Sequence, residues 1–140
     1  MRLYALVAVL ALAGCGNPPS ASTPQPVNSP QSTVAITTKT IADTDQAGVR
    51  TIIALRDQGK LSQANTTTIE NWLGFVATTD KSIGVILAKS EPWAQQKAEI
   101  LTLLGTVTAP TLATTIDPAA QAVVAQIMTL VNQIKTQVAP

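Results

Sequence analysis

The chain has 140 residues, with nine basic and eight acidic side chains and no histidine. Without histidine the commonest general base and the commonest metal ligand are both missing, and serine–histidine or cysteine–histidine nucleophile systems cannot be assembled. A formal net charge of +1 leaves no positive field for which a nucleic acid would exchange its counterions.

In chain order, Met1-Arg2 precedes a run from Leu3 to Leu12 of aliphatic residues, alanines and Tyr4. That run is too short for the roughly 20 residues that cross a bilayer as a helix, so it reads as an export signal. It closes with Leu12-Ala13-Gly14-Cys15, and Cys15 is the only cysteine. This arrangement resembles the lipobox signal of bacterial membrane lipoproteins. The resemblance implies that a signal peptidase recognises Leu12, Ala13 and Gly14, and that residues 1–14 are removed. Cys15 is then acylated, with palmitate-type chains, and becomes the first mature residue. Each acyl chain buries more than ten CH₂ groups at about 0.8 kcal/mol each, so two or three chains make attachment effectively permanent. By resemblance to enterobacterial lipoproteins, Gly16 after the cysteine, in place of aspartate, implies the periplasmic face of the cell outer membrane ahead of the inner membrane. Cleavage also removes Arg2, leaving eight basic against eight acidic side chains, and no polybasic membrane patch is present.

Residues 15–37 read as a tether. Pro18, Pro19, Pro24, Pro26 and Pro30 alternate with Ser, Thr, Gln and Asn. Too few apolar groups are present to offset the entropy of ordering, so a disordered, polyproline-biased segment is expected. Drawn out, it would reach at most about 70 Å.

Residues 38–140 read as a helical domain. Ile41, Val49, Ile52, Ile53 and Leu55 form an apolar stripe, and Gly59 supplies a helix stop. Ser62 suits an N-cap, with Leu61 placed to pack back as a staple. From Gln63 to about Lys89, the residues Ile69, Trp72, Leu73, Val76, Ile83, Ile86 and Leu87 share one helix face. The stretch Thr78-Thr79-Asp80 has low helix propensity, yet the spacing favours one unbroken helix. Ser90 is the expected cap of a third helix through Trp93, Ile100, Leu101, Leu104 and Val107. Residues 108–116 read as a loop. Asp117-Pro118 then opens a last helix whose stripe is Val123, Val124, Ile127, Leu130, Val131, Ile134 and Val138. Four amphipathic segments with short connections predict an all-α, antiparallel up-down bundle.

Few residues invite a chemical role. Trp72 and Trp93 lie on apolar stripes of successive helices, which points to shared core packing ahead of a ligand cradle. Asp43, Asp45, Glu70 and Glu99 are spread thinly and read as solvated helix faces. Asp57 beside Arg56 and Lys60 reads as solvated surface at a helix end. Asn65-Thr66-Thr67 matches a glycosylation pattern but sits in a helix first turn, where these residues serve the backbone. No metal, cofactor or catalytic residue is expected. The reading that follows is a non-enzymatic envelope lipoprotein: membrane-bound through Cys15 and acting on an envelope protein partner. A carrier or chaperone of apolar ligands such as lipids is the alternative, as is a phage- or prophage-encoded lipoprotein.

Overall fold

The computed structural model describes residues 29–112 and 116–140, so Leu12, Ala13, Gly14 and Cys15 lie outside it. The described residues form α1 (Pro30–Asp57), α2 (Gln63–Leu87), α3 (Trp93–Gly105) and α4 (Pro118–Val138), with no strand among them. Each helix packs on its sequence neighbour, and α1 closes the ring against α4. Thr37 meets Gln137, and Gly48 meets Val123, so α1 and α4 run antiparallel. This is the expected up-down four-helix bundle.

The first helix starts earlier than the sequence pattern predicted. Ser29 is its N-cap, the hydroxyl accepting from the Ser32 N–H at 3.1 Å, and Pro30 lies in the first turn. Residues 30–37 therefore belong to the bundle, and the tether assignment is corrected for them. Pro30 resembles the tether prolines in composition, but at the first helical position it lacks only an N–H that would have no partner anyway. Val34, fully buried, anchors the added turns. At its other end α1 stops as expected at Gly59, whose φ is +68°. The Lys60 N–H donates to the Leu55 carbonyl, and the Gly59 N–H to the Arg56 carbonyl, each at 2.9 Å. These two bonds are the Schellman arrangement.

Helix α2 runs unbroken through Thr78-Thr79-Asp80. The hydroxyls of Thr78 and Thr79 donate to the carbonyls of Gly74 and Phe75, so they stay within the helix and do not compete with it. Ser62 caps α2 as expected, and Leu61 is buried in the core. Ser90 does not cap α3. The N-cap is Pro92, which offers no side-chain bond, and the turn is tied instead by Gln96, whose Nε2 donates to the Lys89 carbonyl at 2.8 Å.

Helix α3 is short, about 20 Å against about 42 Å for α1. Val107, expected on its stripe, lies beyond its end, and Leu101 faces outward at 39 % exposure. The α3–α4 connection fills the missing half of that side: Val107 and Ile116 are buried in the core. Trp72 holds the connection in place, its indole N–H donating to the Thr108 carbonyl at 2.7 Å. Asp117 caps α4, accepting from the Ala119 N–H at 2.8 Å, with Pro118 in the first turn. The core is built from Ile, Leu and Val of all four helices, with Trp72 at its margin.

Candidate functional site

The inner stripe of α1 includes Ile41, Asp45, Gly48 and Ile52; that of α2 includes Val76, Thr79 and Ile83, with Asp80 at its margin, four residues after Val76. Helical spacing thus carries one carboxylate from each helix into the α1–α2 packing layer. Asp45 is only 9 % exposed, and Asp80 is half-buried. The buried Oδ1 atoms of both have no hydrogen-bond partner. Neither residue belongs to an ion pair among the described residues. The expectation that Asp45 lies on a solvated face is corrected: its position on the stripe is the one an apolar residue would fill.

Burial raises the Asp45 carboxyl above its ordinary range. For Asp80, burial and then the negative charge of Asp45 push the value up to about 6. Both effects disfavour the charged form, and no cation counters them. Asp80 also borders a cavity of about 10 Å³ at the centre of the bundle. Ile41, Val76, Ile83, Leu104, Val107 and Val131 surround it, so every helix contributes an apolar wall. That volume is at the lower limit for a single water. The pair can hold or release a proton. It offers no third ligand: no group of three or more metal-ligating side chains occurs among the described residues.

The other acids named from the sequence are surface groups. Asp43 pairs with Lys39 at 2.8 Å, Glu99 with Lys89 at 2.6 Å, and Glu70 lies 3.8 Å from Arg56. Asp57 pairs with Arg56 at 3.0 Å on the surface, as read from the sequence. Such exposed pairs contribute little to stability. Trp72 and Trp93 are not brought together. Trp72 bonds to Thr108 beyond the end of α3, whereas Trp93 begins that helix, so about 20 Å of helix separates the two. Each packs on the core separately. Residue type alone points Asp45 to solvent, and Asp80 enters the sequence reading only through the low helix propensity of its stretch. The available signal was positional: Asp45 follows Ile41 by four residues, and Asp80 follows Val76 by four.

The outer face of α3 is uncharged at Ala94, Ala98, Leu101 and Thr102, all exposed. A groove of about 400 Å³ runs along its α2 side, past Ile86, Glu99 and Leu103. A second, of about 260 Å³, runs along its α4 side, past Lys97 and Val138. Comparison with protein-family models, curated proteins and solved structures finds no match to this chain.

Proposed function

We propose that this protein is a non-enzymatic, lipid-anchored envelope protein whose helical bundle acts through contact with another protein. The observation that carries the reading is Leu12-Ala13-Gly14-Cys15 at the end of a short apolar run, with Cys15 the only cysteine. Among the described residues no helix is long and apolar enough to cross a membrane, so the anchor on Cys15 is the element that supplies attachment. With α1 starting at Pro30, residues 16–28 join anchor to bundle and reach at most about 50 Å. The proposed site of residence is the periplasmic face of the outer membrane.

The uncharged outer face of α3, bordered by its two grooves, favours protein contact over chemistry. A carrier role draws less support from the interior. The space between the helices beside Asp80 is about 10 Å³, whereas pockets for small ligands measure roughly 300–1,000 Å³; the groove of about 400 Å³ lies on the surface of α3, open to solvent. Metabolic labelling with a clickable fatty acid tests the anchor: the wild type becomes labelled and Cys15→Ser does not. An unlabelled, soluble wild type would end the proposal. Mass spectrometry of an organic extract tests the carrier alternative, which takes over if lipid co-purifies at about one per chain.

A further inference from the structure

We propose that Asp45 and Asp80 form a proton-dependent latch between α1 and α2, closed while the pair retains a proton and loosened when both carboxylates are ionised. The geometry comes first. Asp45 is nine-tenths buried, and the inner Oδ1 of each acid has no donor to accept from. Ionising both acids would leave two charged groups in one layer, each with an inner oxygen that has neither a donor nor a counter-ion, an arrangement that is costly at reduced dielectric. The apolar cavity beside Asp80 supplies no polar wall to solvate the charge from behind, apart from Thr79, whose hydroxyl already donates to the Phe75 carbonyl.

The surrounding elements leave the pair uncompensated. On α1, Lys39 is engaged with Asp43 on the exposed side, and Arg50 is exposed. On α2, Lys81 adjoins Asp80 in sequence but is exposed. The part of α3 that reaches the cavity, from Ile100 to Gly105, carries no charge; Glu99 just before it is bound to Lys89, and Lys97 lies a turn further away. Helix α4 is uncharged from Pro118 to Ile134, with Lys135 beyond, and Asp117 caps its far end. Protonation is therefore the available means of neutralising the pair. The value of about 6 for Asp80 places the change between mildly acidic and neutral conditions.

The latch is tested on the mature chain by carbon-13 NMR titration of the aspartate carboxyls, together with urea unfolding. Asp80 is expected to titrate at about pH 6, above the ordinary carboxylate range. The unfolding equilibrium constant should rise about tenfold from pH 5 to pH 8. Asp80→Asn should abolish most of that rise, and Asp45→Asn should lower the Asp80 midpoint, because it removes the neighbouring charge. Asp43→Asn should preserve the wild-type pH response. Asp80 titrating in the ordinary carboxylate range would overturn the proposal, as would Asp80→Asn keeping the full wild-type response. If either asparagine variant fails to fold, the wild-type titration and its urea curves still decide.

Discussion

Gly48 of α1 lies so close to Val123 of α4 that a Cβ placed on it would meet Val123 Cγ1 at 2.7 Å. Glycine leaves that space to the Val123 methyl, which packs directly over the α1 backbone in the α1–α4 interface. Alanine elsewhere in a helix stabilises relative to glycine by about 1 kcal/mol. At position 48, overpacking of roughly 1–3 kcal/mol opposes that gain. Gly48→Ala should therefore lower stability by about 1 kcal/mol in urea unfolding. Adding Val123→Ala, which clears the obstructing methyl, should restore part of the loss. A Gly48→Ala chain more stable than wild type would show that the α1–α4 spacing relaxes freely.

Helix α4 offers a test of which face is buried. Ile127 and Ile134 are fully buried, while Leu130 sits partly buried at the edge of the core. Ile127→Ala should cost about 2–5 kcal/mol. Leu130→Ala should cost less, since its side chain is only partly buried. Equal losses from the two would mean that the helix is rotated from the orientation described.

The early start of α1 gives a third prediction. A chain begun at Thr38 loses the Ser29 cap and the fully buried Val34. Burial of one valine contributes about 1.5–3 kcal/mol, and a serine cap about 1 kcal/mol. Compared by thermal unfolding, a chain begun at Ser29 should be more stable by about 2–4 kcal/mol. No difference between them would return residues 30–37 to the tether.

Stability should pass through a maximum on the acid side of pH 6. Asp80 has a folded value above its unfolded one, so the folded state binds more protons between the two. Its contribution is present below about pH 4 and is lost as the pH rises through about 6. Glu99 behaves in the opposite sense: its hydrogen bond with Lys89 lowers it, so its contribution appears above the ordinary carboxylate range and is lost as the pH falls. Unfolding midpoints measured from pH 3 to pH 9 should fall on both sides of the maximum. A plateau from pH 5 to pH 8 would remove Asp80 as the cause of the neutral-side decline.

Local order was legible wherever a residue acts through its own backbone neighbourhood. Gly59, Ser62 and Asp117-Pro118 mark their helix ends because a left-handed turn, an N-cap oxygen and a fixed φ work over four residues. The stripe of α2 was equally readable, because Ile69 to Ile86 repeat at the helical period through the threonines. Ser90 shows the limit of local reading: it has the right chemistry for a cap, yet Gln96 ties that turn from within α3.

The amino-acid order by itself determined the helix period, most of the helix ends and the absence of histidine chemistry, since these depend on residue type and short-range spacing. Tertiary structure alone decided that Val34 recruits Pro30 into α1, that the α3–α4 connection completes one side of the core, and that Trp72 and Trp93 stand apart. It also decided the pairing of Asp45 with Asp80. Each is inconspicuous on its own helix, and thirty-four positions of chain separate them. Their shared burial and mutual repulsion exist only because α1 and α2 pack with these two turns opposed. The helical spacing hints at the burial of each acid, but their charge coupling belongs to positions in space, so no local reading of either helix contains it.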